Sequence, residues 1–245
     1  MRKLQNTFIE IDGQSIPAKI YQESRNNVRV SIGKTAAILR LPIQMDKKQK
    51  KSQFGWFVRW VEKQFDANEK LKARFFPKIY RTDDTLKVGK NTYKLDVTYQ
   101  DRKTFGARLK DGVIYLKLIK GISDVANHKG AKTLLSRVIG KHFLPEITDR
   151  VNRLNEKYFQ KTIKSVNLKY NTSNWGSCST RGNINLSTRL LFAPDDVIDY
   201  VIIHELTHLT EMNHSPKFWK IVQSIMPNYK EKENWLKVNG ANCDF

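Results

Sequence analysis

The stretch HELTHLTEMNH, residues 204–214, constrains this chain more than any other part of its sequence. It follows Pro194-Asp195 and an apolar run at helical spacing, so we expect a helix from about residue 195 to 211 with Asp195 as its N-cap. His204 and His208 are four residues apart, which places both on one side of a helix, one turn from each other. Two imidazoles in this arrangement can bind one metal ion.

A third ligand is needed, and the sequence offers two candidates. Glu211 is on the same helical face as His204, but about 10 Å further along the axis. His214 would point away from the metal if the helix continued. Asn213 tolerates the left-handed conformation that ends helices, and Ser215-Pro216 is typical of the start of a new one. A reversal there would return His214 to the metal, so we expect His214 as the third ligand, with Glu211 as the alternative.

This donor set predicts a single zinc ion with an open coordination position. Glu205, next to the first ligand, is rotated by about 100° around the helix axis, so it can miss the metal and still reach a water molecule there. Zinc lowers the pKa of such a water to about 7. The pattern therefore indicates a zinc-dependent hydrolase with Glu205 as general base. The sequence does not reveal the donor that would stabilise an oxyanion.

The chain is strongly basic, with a net charge of +20, and the excess lies outside the histidine segment. Residues 1–160 contain 34 Lys and Arg against 16 Asp and Glu, whereas residues 161–245 contain 10 against 8. Such an excess is typical of nucleic-acid binding, although it also suits a solvated surface. The densest run is KKQKK at 47–51. Its candidate nucleic-acid contacts are Lys47, Lys48, Lys50 and Lys51.

Hydrophobic periodicity predicts an α+β fold with two parts. Residues 1–125 would form a basic, strand-rich part with one long helix over about 47–73. Residues 126–245 would form a mainly helical part with a small sheet. It would begin with a helix over about 130–160 that Pro145 kinks or interrupts.

The start of the chain lacks the apolar region of a signal peptide, and no stretch approaches a membrane span of about 18 apolar residues. Cys178 and Cys243 are too few and too far apart for a disulfide framework. We therefore expect a cytoplasmic protein with no membrane contact.

Two segments together carry a family resemblance: HELTHLTEMNHSPKFW and, about twenty residues earlier, NWGSCSTRGNINLSTRLLFAP. They resemble the YgjP-like metallopeptidase-like family, which is related to the SprT-like and WLM zincins. The resemblance implies a zincin-like catalytic part over residues 126–245, with zinc on His204, His208 and His214 and with Glu205 as base.

The resemblance also implies that the strand after WGSC lies beside the active-site helix as an edge strand and holds an extended peptide. Candidate substrate contacts are then Trp175, Gly182, Asn183 and Ile184. Packing inside the loop is the alternative role for Trp175.

Three functions compete. The first is a zinc metallopeptidase acting on a peptide or protein. The second is a nucleic-acid-binding module with a structural metal, or a protease recruited to DNA or RNA by its basic part. The third is a metal-dependent nucleotide phosphoanhydride hydrolase. Glu205 favours the enzymes, because a structural zinc site has no need of a carboxylate beside its ligand.

Overall fold

The computed structural model describes residues 3–33 and 35–245, and it has the mixed α+β fold that the sequence predicts. The chain divides into two compact units, residues 1–78 and 79–245. The sequence suggested a boundary near residue 125, whereas the structure divides the chain after Lys78. The reason is that the strands between residues 85 and 119 share one hydrophobic core with the helix that follows them.

The first unit is a four-stranded sheet covered by a helix. Asp12 and Gly13, both with positive φ, form the tight turn that joins the first two strands. The strands are β1 (Lys3–Ile11), β2 (Gln14–Glu23), β3 (Arg29–Ile32) and β4 (Ala37–Pro42). Their order in the sheet is β1-β2-β4-β3, with β2 and β4 parallel and the other pairs antiparallel.

The helix expected over 47–73 forms as two helices. In α1 (Lys47–Ala67), Phe57, Val61 and Phe65 recur every four residues and are buried against this unit's core. Asn68 ends α1, and its side chain accepts from Leu71 N at 3.0 Å to cap α2 (Glu69–Phe75).

The second unit begins with another four-stranded sheet, which packs against a long helix, α3 (Asp124–Tyr158). Ser123 caps α3, so the Gly-bearing segment near residue 125 is the start of a helix and not a linker. The helix continues through Pro145, so the proline does not interrupt it, and the kink that the sequence gave as the other outcome stays a prediction. The sheet has the order β5-β6-β8-β7, with strands β5 (Thr85–Val88), β6 (Asn91–Gln100), β7 (Gly106–Lys110) and β8 (Val113–Ile119).

A three-stranded sheet and three helices complete this unit. The sheet order is β10-β11-β9, so β11 is the middle strand and β10 is an edge strand in contact with α4. A 3-10 helix (Thr188–Phe192) joins β11 to α4. The other elements are β9 (Ser165–Lys169), β10 (Gly176–Cys178), β11 (Asn183–Ser187), α4 (Asp195–Thr207), α5 (Pro216–Ile225) and α6 (Tyr229–Asn239).

Arg150 of α3 anchors the start of α4. Its guanidinium donates to Asp199 Oδ1 at 2.6 Å and to Asp195 Oδ1 at 2.9 Å. Asp195 was the expected N-cap, but Pro194 takes that position and Asp195 forms ion pairs with Arg150 and Lys90. The hydrogen bond from Arg150 lowers the pKa of Asp195. None of the helices described is long and apolar enough to cross a membrane.

Candidate metal centre

The end of α4 presents the first two histidines. The helix stops at Thr207, whose hydroxyl donates to Ile203 O at 2.7 Å, and His208 is its C-cap. The imidazole centroids of His204 and His208 are 5.2 Å apart. These two side chains therefore meet on one side of α4, as the spacing predicted.

The turn after α4 brings back His214. The reversal begins at Thr207, earlier than expected, and no described residue between α4 and α5 has a positive φ, so Asn213 is not the left-handed residue. Ser215 caps α5, with its hydroxyl accepting from Phe218 N at 3.3 Å, as the sequence predicted. This cap sets the start of α5 and leaves His214 directly beside the other two histidines.

Phe218, on the first turn of α5, is the apolar residue on which the three histidine rings pack. It is fully buried, and its ring centroid lies 4.9 Å from that of His204 and 4.7 Å from those of His208 and His214. Sequence reasoning missed this role, although HSPKFW places Phe218 four residues after the last histidine, on the first turn of a capped helix.

The three histidines converge through their ring nitrogens. One nitrogen from each ring lies within 4.8 Å of the others, and the Nε2 atoms of His204 and His214 are 2.9 Å apart. His208 Nδ1 is 3.3 Å from Glu211 O, which suits the Nδ1–H tautomer and leaves Nε2 as a metal donor. The Glu211 carboxylate instead pairs with Lys217 at 3.7 Å, so the structure brings together His214 and not Glu211.

Burial disfavours the charged form of His204 and His208. Burial, reinforced by His208 and His214, lowers the pKa of His204 to about 4. Burial and the neighbouring His214 also lower the pKa of His208. Neutral imidazoles whose lone pairs meet at one point are the donors that zinc prefers, so the residues present fit a zinc ion.

Glu205 is buried beside the cluster without a neutralising partner. Only 5 % of it is exposed, and its carboxylate has neither a hydrogen bond nor an ion pair with any residue that the structure describes. Burial raises its pKa to about 8. A buried carboxyl group whose pKa lies this close to neutrality is a candidate for proton transfer in general acid–base catalysis.

Gly176 of β10 makes the room that Glu205 occupies. A Cβ on Gly176 would lie 2.5 Å from Glu205 Oε1 and 2.7 Å from its Cγ. The glycine of the WGSC segment therefore allows β10 to approach the base. Sequence reasoning assigned no such role to Gly176, because the contact joins residues that are far apart in the chain.

A cavity of about 590 Å³ opens over the histidines and Glu205. Its wall is mostly apolar and comes from the β10 segment, α4 and α6. The other lining residues are Asn174, Trp175, Gly176, Ser177, Cys178, Tyr200, Val201, Met212, Glu233, Leu236 and Lys237. Tyr200, one turn before His204, was not singled out in the sequence.

Strand β10 borders this cavity with an unpaired edge. Trp175 O accepts from Ser187 N at 2.8 Å, and Ser179 N donates to Asn183 O at 3.0 Å. Because alternate residues of an antiparallel strand face the same neighbour, the main-chain groups of Gly176 and Cys178 point away from β11. No strand in the described part of the chain pairs with that side of β10.

The expectation that the strand after WGSC is an edge strand is wrong, because β11 lies between β10 and β9. Gly182, Asn183 and Ile184 do not line the cavity. Ile184 is fully buried in the core, and Gly182 has a φ of +76° in a turn where a Cβ would lie 2.7 Å from Thr162 O. The Asn183 side chain is hydrogen-bonded within the small sheet.

Trp175 has the packing role that the sequence offered as the alternative, and its contact with substrate stays a prediction. It lines the cavity, and it also packs between Arg189, whose Cζ is 4.6 Å from the ring, and Gly240. Arg189 donates to the carbonyl oxygens of Gly240, Cys243 and Thr172. Arg189, fixed by these hydrogen bonds, holds the Trp175 side chain in the cavity wall.

The four lysines proposed for nucleic acid lie elsewhere, on the first turns of α1 in the first unit. Lys47, Lys48 and Lys51 are exposed, and Lys50 donates to Gln22 Oε1 at 3.3 Å. Nothing in their described surroundings indicates a nucleic-acid site, so that role stays a prediction.

Comparisons with known proteins agree with the chemistry of this site. The model of the family described as YgjP-like, metallopeptidase domain, matches residues 26–239. No match was found among the curated proteins.

Two crystal structures of metallopeptidase zymogens are similar to part of the chain. Abylysin from Pyrococcus abyssi has 23 % sequence identity and a TM-score of 0.35, and the match covers 38 % of this chain and 92 % of abylysin. Jannalysin from Methanocaldococcus jannaschii has the same identity and coverage, with a TM-score of 0.33. These TM-scores are too low to carry an argument, whereas the family model spans most of the chain. The chain therefore belongs to the YgjP-like family of metallopeptidase domains.

Proposed function

We propose that this chain is a zinc-dependent metallopeptidase, with one zinc ion held by His204, His208 and His214 and with Glu205 as general base. The observation that carries the proposal is the meeting of three imidazoles beside a buried, unpaired carboxylate. A purely structural site would not need that carboxylate.

In this proposal the three histidines bind the metal and Glu205 transfers the proton. When bound, zinc would act as a Lewis acid on the substrate carbonyl and on the attacking water. Glu205 would accept a proton from that water and deliver it to the leaving amine. Its burial excludes competing solvent, and Gly176 lets the carboxylate stand close to β10.

The edge of β10 supports a peptide substrate. The outward N–H and C=O groups of Gly176 and Cys178 would bind an extended backbone by strand addition. The mostly apolar wall, with Trp175 and Leu236, would then accept a side chain of the substrate.

The same wall disfavours the nucleotide alternative. Apart from the histidines, Lys237 is the basic residue among the described residues that line the cavity, and it pairs with Glu233 at 2.7 Å. A site for a polyphosphate would need more unpaired positive charge. Recruitment to nucleic acid through Lys47, Lys48, Lys50 and Lys51 has no supporting contact.

Glu205→Gln tests the proposal with little change in shape. We expect the zinc-loaded wild type to cleave fluorescein-labelled casein and Glu205→Gln to be about 10²–10⁴-fold slower with the same zinc content. Glu233→Gln is the matched control, because it removes a carboxylate of the same cavity that is already paired with Lys237. Equal cleavage by wild type and Glu205→Gln would contradict the role of the base. Phosphate release from ATP without casein cleavage would favour the phosphoanhydride hydrolase.

A further inference from the structure

Tyr200 stands beside the histidine cluster on the face of α4 that borders the cavity. It precedes His204 by one helical turn, and the two ring centroids are 6.1 Å apart. Glu205 lies on a different side of His204, towards β10, because successive residues are rotated by about 100°. A carbonyl group above the histidines would thus have the carboxylate on one flank and the tyrosine on another.

The hydroxyl of Tyr200 makes no hydrogen bond among residues 3–33 and 35–245. Only 5 % of the residue is exposed, yet its hydroxyl oxygen is not among the fully enclosed polar atoms that lack a partner. The oxygen therefore stays accessible from the cavity that Tyr200 lines, where it can donate to a bound group.

The other side-chain donors that line the cavity suit this role less well. Ser177 is only half-buried and its hydroxyl oxygen accepts from Asn185 Nδ2 at 3.3 Å, and the Lys237 ammonium is exposed and paired with Glu233. Asn174 is exposed. Apart from the histidines, Tyr200 is the buried residue among the side-chain donors described at this cavity, since Trp175 and Cys178 are half-buried.

We propose that the Tyr200 hydroxyl is a catalytic hydrogen-bond donor to the carbonyl oxygen of the scissile peptide bond. This inference rests on the proposed metallopeptidase function. As the carbonyl carbon becomes tetrahedral, its oxygen gains negative charge, and a donor already oriented towards it stabilises that charge more than the ground state. The phenol keeps its proton throughout, and no covalent bond to Tyr200 forms or breaks.

Tyr200→Phe removes the hydroxyl and keeps the ring that packs on His204 and Tyr229. With fluorescein-labelled casein, we expect kcat to fall about 10²-fold while KM and zinc content stay close to those of the wild type. Tyr229→Phe is the matched control: its ring stacks on Tyr200 at 6.4 Å, but it does not line the cavity, so its kcat should be unchanged.

A binding measurement separates the transition state from the ground state. A phosphinic peptide, whose tetrahedral group replaces the scissile amide, should bind zinc-loaded Tyr200→Phe at least tenfold more weakly than wild type. The corresponding peptide with an intact amide bond should bind the Glu205→Gln protein and the double variant Glu205→Gln, Tyr200→Phe equally well, as measured by calorimetry. An active wild type with unchanged kcat in Tyr200→Phe, or with a change in KM alone, would overturn the role of Tyr200. A wild type as inactive as Glu205→Gln would instead overturn the proposed function, and this inference with it.

Discussion

Replacing Gly176 with alanine should displace the proposed base without touching a metal ligand. The new Cβ would lie 2.5, 2.7 and 2.8 Å from Oε1, Cγ and Cδ of Glu205. Carbon atoms normally approach to about 3.5–4.0 Å, so Cγ would be about 1 Å too close. Glu205 is buried and cannot swing freely into solvent, so its carboxylate must shift by about that distance or β10 must move away.

A misplacement of about 1 Å at a reacting group lowers the rate about 10²-fold, and the overlap itself costs about 1–3 kcal/mol of stability. We therefore expect Gly176→Ala to keep its zinc and to lose about 10²-fold in kcat on fluorescein-labelled casein. Thermal unfolding of the same samples should show a folded protein with a lowered midpoint.

Gly55→Ala is the matched control for adding one methyl group. The nearest atom to its new Cβ is Arg59 Nη1 at 3.8 Å, and the position lies within α1. We expect unchanged activity there and a stability gain of up to about 1 kcal/mol. A Gly176→Ala protein with the kcat of the wild type would refute the argument that this glycine sets the position of the base.

Two further predictions concern stability, and urea unfolding measures both. In protein stripped of zinc by a chelator, the free energy of unfolding should fall by about 1.4 kcal/mol from pH 7 to pH 9. The reason is that burial raises the pKa of Glu205 to about 8, so the folded state keeps a proton at pH 7 that the unfolded chain has released. Glu205→Gln should lack this part of the fall, and equal slopes in both proteins would contradict the burial argument. Arg189→Ala should lose about 3 kcal/mol, since it removes hydrogen bonds to three carbonyls and the contact with Trp175. Arg108→Ala is the control, because it removes a ring contact with Tyr115, and it should lose less than about 1 kcal/mol. Equal losses in the two variants would refute the stabilising role of the Arg189 hydrogen bonds.

The sequence predicted the parts of the site that depend on local rules. The spacing of His204 and His208 follows from the helical period, and Ser215-Pro216 marked the start of α5. His214 was therefore expected beside them. The mechanism of the reversal was wrong, because α4 ends at Thr207 and no left-handed residue is needed.

The remaining features depend on pairings between distant segments. Local sequence does not reveal that β11 is the middle strand, so residues 182–184 were expected at an edge that β10 occupies. Gly176 on β10 and Glu205 on α4 are far apart in the chain, so no local sequence pattern predicts their contact. The boundary expected near residue 125 reflected local composition, whereas the division after Lys78 reflects a shared core.

Metal content per chain tests the central claim most directly. Wild type, His214→Ala and His142→Ala would be dialysed against a weak chelator and measured by elemental analysis. His142 is the control, because it lies exposed on α3 and outside the histidine cluster. The account predicts one zinc per chain in wild type and His142→Ala and much less in His214→Ala. Equal zinc in all three proteins, or none in the wild type, would contradict a three-histidine site.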